Sequence, residues 1–430
     1  LPTSTTVSIV FELLGAAVIM SIIKIVDADG SLVEIENYIN VQKATEIVIG
    51  ILLSVFIAFS IGAIIQWISR VILTFDFESK SILLNSIFGS LSFTSIINFI
   101  LIKGIKGTPY SSQTFSVLDD LTINEFIDSN IFLFWIISLI FWYILSMIAI
   151  YAFKVDIYKI IIGVGTFSLA LAFAGNDLVN FIGVPIAALE SFQSWSSSSM
   201  SASEFAMTSL SEKVSTKPLY LFLSGLIMVI TLWFSSKAKN VVKTSLDLSN
   251  QNEIDERFKA NLIGKALVSF GISLNKFLKL ILPKNFLIQI NNSFKLKDNY
   301  NVADSIDGIR PSFDKLRASL NLVIAAILIS IATSYQLPLS TTYVTFMVAM
   351  GTSLSDRAWS SESAIYRVSG VVSVIGGWFL TALSAFIICG LIVFVINLLK
   401  LVGVIIILIL VIIIILSNHR KFKKKGEIEI

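Results

Sequence analysis

Apolar residues in this chain come in long continuous runs separated by short polar loops. Runs near the length of about 20 residues that a helix needs to cross a bilayer occupy positions 5–26, 46–68, 82–103, 131–153, 157–189, 218–236, 318–336, 338–354, 368–397 and 401–417. Helices suit such runs because a bilayer leaves every backbone polar group to be satisfied within the chain. The pattern predicts an all-α polytopic membrane protein of about ten helices or half-helices.

The composition favours a lipid environment and argues against catalysis. Hydrophobic residues make up 55% of the chain and charged residues 14%, and the mean hydropathy is +0.85. Cys389 is the single cysteine, and His419, in the basic tail, is the single histidine. A disulfide framework, a metal cluster of these residues and the nucleophile–base constellation of an intramembrane hydrolase are therefore not expected, and we predict that the protein is not an enzyme.

Charged residues orient the predicted helices. Segment 237–317 holds fourteen Lys or Arg residues against eight Asp or Glu residues, and the 419–430 tail is basic as well. Cytoplasmic loops carry the excess of positive charge, so both segments are expected in the cytoplasm. The protein itself is expected in the inner membrane of the cell. The acidic loops at 27–46 and 104–130 are expected outside, and the neutral loop at 355–367 gives no orientation.

These features divide the chain into a transmembrane domain in two parts, an insert between them and a tail. The two transmembrane parts are 1–236 and 318–418. The insert is 237–317, and the tail is 419–430. In the insert, apolar residues recur every three to five positions from Phe258 to Ile281, which is typical of an amphipathic helix. A solvated linker and a regulatory module both remain open interpretations of the insert. The Ser-rich stretch 191–205 is predicted to be a flexible external loop.

The chain contains an internal repeat. It begins LPTSTTVSIVFELLGA and reads LPLSTTYVTFMVAMGT from residue 337, so that a Pro-x-Ser-Thr-Thr element and a later glycine recur at a constant offset of 336 residues. From the loop charges, the first copy runs outward and the second inward. Similar segments of opposite direction are typical of inverted-repeat transporters, which bind substrate near the membrane midplane where the repeats meet.

A Pro-x-Ser-Thr-Thr element at the start of an apolar helix has two interpretations. Proline suits the first helical turn and Ser or Thr caps the exposed N–H groups, which is the purely structural role. The same N–H groups, the positive end of the helix dipole and the hydroxyls also form an anion site, and two copies favour this function. The predicted anion-binding residues are Ser4, Thr5, Thr6, Ser340, Thr341 and Thr342.

Asp177 is the only charged residue between Ile160 and Leu189. An ionisable residue inside a membrane is costly and therefore a candidate functional residue. Asn176 and Asn180 lie one turn apart on one helical face, and Asp177 precedes Asn180 by three residues, so their oxygens can converge.

Helix-breaking residues flank this carboxylate. Gly175, Gly183 and Pro185 favour a broken helix whose freed carbonyls could help Asp177 to coordinate a cation. Capping of a re-entrant helix by Asp177 is the structural alternative.

Three blocks of this sequence resemble the inorganic phosphate transporter (PiT) family. They are GNDLVN at 175–180, PTSTT at 2–6 and PLSTT at 338–342, and the helix start GGWFLT at 376–381 is similar too. The family hallmark is a duplicated Asn-Asp signature, each copy followed by Pro-x-Ser-Thr-Thr, in an inverted repeat of discontinuous helices that couples phosphate uptake to Na⁺ or H⁺. The resemblance implies a first Asn-Asp copy upstream of Leu1.

The resemblance and the residues imply the same chemistry. No intramembrane arginine is predicted to meet a tetrahedral dianion, so helix N-termini, hydroxyls and bound cations must offset its charge. We therefore expect cation-coupled symport of inorganic phosphate by alternating access. Asn176 and Asn180 are expected to contribute to the phosphate site and, with Asp177, to hold Na⁺ as the coupling ion, with H⁺ left open. The expected partners are phosphate, Na⁺ and the lipid bilayer, with no other cofactor and no nucleic acid, and a homodimer is left open.

Two features leave alternatives open. Val179 and Phe181 are bulkier than the small residues usual in the family, so sulfate or another tetrahedral anion is an alternative substrate, and an anion channel is a further alternative function. Sulfate cannot donate a hydrogen bond near neutral pH, so a site that accepts one from hydrogen phosphate would reject it.

Glu12 is the second intramembrane acid, with Val348 at its position in the second copy. It is a candidate proton or cation ligand, or alternatively a hydrogen-bond partner for a neighbouring helix.

Overall fold

A computed structural model of the protein covers most of the chain. The residues that it describes are 3–105, 113–114, 121–122, 125, 129–201, 204–205, 207–208, 216–250, 259–281, 283–295, 312–334, 337, 339–357 and 363–428. Pro2 and Pro338 of the repeated elements and Phe258 of the insert lie outside the described residues.

The described residues form helices and no strand, apart from an isolated bridge between Thr114 and Thr122. The α-helices are α1 (Thr5–Asp27), α2 (Val41–Leu73), α3 (Ile82–Ile105), α4 (Ile131–Tyr151), α5 (Ile157–Ser196), α6 (Pro218–Phe234), α7 (Ser236–Ser249), α8 (Leu262–Ile281), α9 (Lys284–Ser293), α10 (Lys315–Ser334), α11 (Thr341–Ser355) and α12 (Ser363–Ile428). Short 3-10 helices at Leu32–Asn37 and Phe77–Ser79 follow α1 and α2.

This architecture confirms an all-α polytopic membrane protein. Within the described residues, six helices are long and apolar enough to cross a bilayer, namely α1, α2, α4, α5, α10 and α12. By contrast, α11 has 15 residues and spans about 22 Å at 1.5 Å per residue, which is less than the hydrocarbon thickness of about 30 Å. The second repeated element therefore starts a half-helix.

The helix ends differ from the predicted runs by a few residues, as in α2, which spans Val41–Leu73 where 46–68 was predicted, and two differences are larger. α5 continues to Ser196, through the first part of the stretch predicted as a loop. Hydroxyls such as that of Ser191 donate to the carbonyl one turn back, at 2.7 Å, so these serines are compatible with a helix. The predicted runs 368–397 and 401–417 both belong to α12, and the backbone leaves helical geometry between them, at Lys400, with a φ of 51°.

The chain folds into two compact units. One, called the main unit here, consists of Leu1–Thr5 and Ile49–Gly376, and the other, called the terminal unit, consists of Thr6–Val48 and Gly377–Ile430. The main unit holds α2 from Ile49 onward, the helices from α3 to α11 and the first turns of α12. The terminal unit holds most of α1 and the larger part of α12.

The core of the main unit is built on α10 and α11. α10 packs against α3, α5 and α11, and α3 packs also against α4 and α5. Ile329 of α10 and Val348 and Met350 of α11 are completely buried. On the periphery, α4 exposes large apolar side chains such as Phe132 and Ile137, as a helix that faces lipid does. Short α11 is therefore held by protein and not by lipid.

A buried ion cluster ties three helix ends together in the main unit. The guanidinium of Arg70, near the end of α2, donates to Asp356 with an Nε–Oδ1 distance of 2.5 Å and to Asp314 with an Nη2–Oδ2 distance of 2.6 Å. The Arg70 and Asp356 side chains are fully buried, and that of Asp314 is 4% exposed. Because Asp314 precedes α10 and Asp356 follows α11, Asp356, at the start of the predicted loop 355–367, lies at the same end of the helices as Arg70, an orientation that the neutral charge of the loop did not predict.

A second set of ion pairs brings the start of α5 to this face. Lys315 Nζ lies 2.6 Å from Glu78 Oε1 and 2.6 Å from Asp156 Oδ2. Asp156 also caps α5, since its Oδ1 accepts from the N–H of Tyr158 at 3.1 Å. The end of α2, the starts of α5 and α10 and the end of α11 therefore share one face.

The described residues of the insert form α7, α8 and α9, which contact membrane helices of the main unit. Before α8, the backbone N–H of Asn261 donates to Ser369 Oγ of α12 at 3.0 Å. At the end of α9, Ser293 Oγ donates to the carbonyl of Val71 of α2 at 3.2 Å. The predicted amphipathic segment around 258–281 is therefore helical from Leu262, and its neighbours contact membrane helices.

Matched glycines of the two repeats mark close helix crossings. Gly15 of α1 and Gly351 of α11 are offset by 336 residues. In the terminal unit a Cβ on Gly15 would overlap the carbonyl oxygen of Phe386 of α12, and in the main unit a Cβ on Gly351 would overlap that of Phe59 of α2. Small residues allow such backbone approach between membrane helices. Thus α1 packs against α12, the helix that follows α11, and α11 packs against α2, the helix that follows α1.

Gly351→Ala should disrupt the crossing of α11 with α2. The added Cβ meets backbone that cannot rotate away, so we expect a loss of roughly 1–3 kcal/mol in the free energy of unfolding. Gly163→Ala is the matched control, since a Cβ there meets nothing within 4 Å. Unfolding of both variants in detergent micelles with increasing dodecyl sulfate would measure the difference, and equal stabilities would contradict the crossing.

Asp356→Asn should destabilise the protein by about 3–5 kcal/mol, because it leaves the buried Arg70 guanidinium without one of its two carboxylates. The control is Glu46→Gln, which removes an exposed ion pair with Lys43 and should cost at most about 1 kcal/mol. The same unfolding measurement applies, and a small effect of Asp356→Asn would show that the cluster contributes little.

Candidate functional site

Asp177 lies inside a continuous helix. α5 runs unbroken through Pro185, so the break predicted from Gly175, Gly183 and Pro185 is wrong. Proline removes its own N–H and frees one carbonyl four residues earlier, and membrane helices tolerate this loss when neighbouring groups compensate. Most carbonyls of this stretch are therefore used within the helix and cannot form the coordination shell that a broken helix would supply.

The second repeated element begins α11 as predicted. Ser340 is the N-cap, because its Oγ accepts the N–H of Tyr343 at 3.1 Å, and Thr341 is the first helical residue. The oxygen of Ser340 thus has the structural role that was the alternative to anion binding. The first N–H groups of the helix and the positive end of its dipole remain beside Thr341.

The two repeated elements meet at Asp177. Thr5 Oγ1 donates to Asp177 Oδ1 at 2.8 Å, and Thr341 Oγ1 lies 3.3 Å from Oδ1 and 3.2 Å from Oδ2. Asn180 Nδ2 donates to Thr5 Oγ1 at 3.4 Å. Thr5 and Thr341 are matched residues, offset by 336 positions. One carboxylate therefore receives one hydroxyl from each copy of the repeat.

The electrostatics of this cluster are those of an uncompensated anion. Asp177 is half-buried, and its hydrogen-bond donors are the two threonine hydroxyls. Within the described part of the chain it takes part in no ion pair. The positive end of the α11 dipole beside it favours its negative charge. A second anion at the same helix end would be repelled by Asp177 unless a cation or proton neutralised it.

The other predicted site residues are placed as follows. Asn176 is half-buried next to Asp177, and Thr342 is half-buried in the first turn of α11. Ser4 and Thr6, which flank Thr5, are buried, and Thr6 belongs to the terminal unit. The cluster that the structure brings together is therefore Thr5, Asp177, Asn180 and Thr341.

Glu12 also lies in the terminal unit, two turns along α1 from Thr5, and is half-buried. Its roles as a cation or proton ligand and as a hydrogen-bond partner both stay predictions.

The donor set of the cluster suits a hard monovalent cation. Carboxylate, hydroxyl and amide oxygens are the ligands that such ions take, and Asp177, Thr5, Thr341 and Asn180 supply all three kinds. The described residues contain no group of three His, Cys, Asp or Glu side chains that could hold a metal ion. The N-terminus of α11 provides the complementary element, N–H donors for an oxyanion.

The Arg70 cluster was missed by the sequence analysis. Arg70, Asp314 and Asp356 each stand at the end of an apolar run, where charged residues normally face water, so no local signal separates them from surface charges. The 355–367 segment carries charges of both signs and therefore gives no orientation. Packing alone shows that its Asp356 is a buried partner.

Fold and site together define an all-α multi-pass membrane protein in which two copies of a repeated helix start meet at one carboxylate. No family model, curated protein or solved structure matches the chain. The geometry of the site is therefore the basis on which a function can be argued.

Thr341→Val should destabilise the cluster, because it removes a hydroxyl that satisfies a half-buried carboxylate. Hydrogen bonds to charged groups contribute about 1.5–3 kcal/mol, so a loss of that order in the free energy of unfolding is expected, and Thr341→Ser should restore it. The control is Thr345→Val, one turn further on, whose hydroxyl donates only to carbonyls of α11 itself. Equal stability of the two valine variants would show that Asp177 does not depend on Thr341.

Proposed function

We propose that this protein is a secondary transporter that couples the uptake of inorganic phosphate to a cation, with Na⁺ favoured over H⁺. The observation that carries the proposal is the meeting of matched Thr5 and Thr341 at Asp177. Transporters built from inverted repeats bind their substrates where the repeats meet. A purely structural N-cap would not require the same residue of both copies at one carboxylate.

Charge balance supports coupling in place of simple anion binding. The N-terminus of α11 can donate N–H groups to phosphate, but Asp177 already places a negative charge there. Phosphate is therefore repelled from the empty site and attracted once a cation sits on Asp177, Asn180 and the threonine oxygens. Each ligand then increases the affinity for the other, which is the thermodynamic requirement for symport.

The proposed orientation follows the distribution of basic residues. The face that holds Arg70, Lys315 and the insert carries the excess of positive charge and is assigned to the cytoplasm. The protein would then lie in the cell membrane, the inner one in a bacterium, with the insert and the basic tail inside. The cluster at Asp177 lies at the opposite end of α11 from Asp356, deeper in the membrane.

Na⁺ dependence of phosphate uptake is the central test. Purified protein in liposomes should take up radiolabelled phosphate when an inward Na⁺ gradient is imposed, and K⁺ in place of Na⁺ at a clamped pH should abolish uptake. Asp177→Asn keeps the shape of the side chain but removes its charge, so Na⁺ affinity should fall by at least about tenfold, or ~1.4 kcal/mol. The control variant is Asp27→Asn, an exposed carboxylate at the end of α1.

The outcomes separate the alternatives. Uptake that follows a pH gradient without Na⁺ would assign H⁺ as the coupling ion. Competition by sulfate as effective as by phosphate would point to a general tetrahedral-anion permease, since of the two anions only hydrogen phosphate can donate a hydrogen bond to Asp177 or an amide oxygen. Flux without cation stoichiometry under voltage clamp would indicate a channel. A parallel Na⁺ response in wild type and Asp177→Asn would refute the coupling role of Asp177.

A further inference from the structure

The C-terminal end of α7 is buried in the main unit, although α7 belongs to the polar insert. Leu248, Ser249 and Asn250 are 3%, 1% and 9% exposed, whereas Lys243 and Leu246 are exposed. α7 packs against α11. The first helix of the insert is therefore docked by its last turn, and a freely solvated linker does not describe it.

Two arginines hold this end of α7. Arg317 of α10 donates through Nη2 to the carbonyl oxygen of Ser249, and Arg367 of α12 donates through Nη1 to that of Asn250. Carbonyls at a helix C-terminus lack helical partners and carry partial negative charge. Each guanidinium thus donates to one of two successive carbonyl oxygens, as it could donate to the oxygens of an oxyanion.

Arg317 has no carboxylate bound to its guanidinium within the described residues. Its side chain is completely buried, Nη1 reaches Ser353 Oγ at 3.5 Å, and Nε has no hydrogen-bond partner. The two carboxylates nearby, Asp314 and Asp356, are bound by Arg70. A buried guanidinium that shares the charges of Asp314 and Asp356 with Arg70, with one donor unused, is costly and would bind an anion favourably.

We propose that Arg317 and Arg367 form a second binding site, for a tetrahedral phosphate oxyanion, and that the C-terminal carbonyls of α7 occupy this site in the docked state. Arginine binds phosphate oxygens through paired N–H donors more strongly than it binds a neutral carbonyl. An oxyanion at the arginines therefore displaces α7, so occupancy of the site and docking of the insert exclude each other.

The second site gives the insert a role in the proposed transport. The assignment of phosphate as the ligand of this site rests on that proposed function. Ser353, which contacts Arg317, and Thr341, which contacts Asp177, stand on the same helix, about 18 Å apart at 1.5 Å per residue. Phosphate that leaves Asp177 for the cytoplasm would meet the two arginines near the face. A high cytoplasmic phosphate concentration would keep α7 undocked, so the docking state of the insert would report that concentration.

Thiol labelling of α7 tests this exclusion directly. In a Cys389→Ser background, Leu248→Cys places a thiol at the buried end of α7 and Leu246→Cys places one at an exposed position on the same helix. Labelling of the purified protein in zwitterionic nanodiscs is followed while inorganic phosphate is added. A ligand that binds only the undocked state raises its population about tenfold at about ten times its dissociation constant, so labelling at 248 should rise about tenfold and labelling at 246 should not change.

Arginine variants identify the ligand groups. Arg367→Lys keeps the charge but loses the paired donors, and Arg317→Gln removes the charge, so each should abolish the phosphate response at position 248. Arg357→Gln is the control, because Arg357 is an exposed arginine in the same region that donates to Asn291, and its response should match wild type. If Arg317→Gln does not fold, the comparison of wild type with Arg367→Lys still decides whether the arginines bind phosphate. An equal phosphate response at position 248 in these two proteins would contradict the arginine site.

The results distinguish this site from the transport site. No phosphate response at position 248 in a protein that takes up phosphate overturns the second site alone. A phosphate response at position 248 in a wild-type protein that shows no phosphate uptake supports the second site and refutes the proposed transport, and a response that persists in Asp177→Asn shows that the second site acts without the transport site. Phosphate could also come from a lipid headgroup, so labelling is repeated in phosphatidylglycerol nanodiscs without free phosphate. A response to that lipid alone assigns the same arginine site to a headgroup, and no response to either source overturns it.

Discussion

A buried guanidinium has to be paired with anions, and Arg70 meets this requirement with carboxylates from both ends of a helical hairpin. Asp314 precedes α10 and Asp356 follows α11, so the pairing holds both termini of the hairpin beside α2. The geometry is then limited by length, since α11 has 15 residues and cannot cross a bilayer alone. Its first residue, Thr341, is consequently placed inside the membrane, with α2 and α10 packed around the helix.

The depth of Thr341 creates the chemistry at Asp177. The N-terminus of α11 has N–H groups without helical partners, and the half-buried carboxylate of Asp177 on α5 places a negative charge beside them. Ser340 caps the helix and the threonine hydroxyls satisfy the carboxylate, yet neither provides a compensating charge. Mobile ions can provide it, which is the physical basis for coupling a cation to an anion here.

The duplication of the sequence is visible in two unlike features of the structure. Matched Thr5 and Thr341 both contact Asp177, and matched Gly15 and Gly351 both allow a close backbone crossing, each within its own unit. One pair concerns hydrogen bonding and the other concerns packing, so chance similarity of the two segments does not explain both. The carboxylate itself belongs to α5, and a single Asp177 therefore serves both copies of the repeated element.

The sequence by itself determined the helical class, the places of most apolar helices and the repeat, and it singled out Asp177, because lipid imposes apolar length on each helix and makes an isolated charge conspicuous. It did not determine that α5 continues through Pro185, since local helix-breaking tendencies are outweighed when neighbouring helices hold the chain. Nor did it reveal the Arg70 cluster or the two arginines, Arg317 and Arg367, that donate to the C-terminal end of α7. Only the tertiary structure decided these, because the partners are far apart in the chain, with Arg70 and Asp356 separated by 286 residues, and each partner alone has the local pattern of an ordinary residue at a helix end.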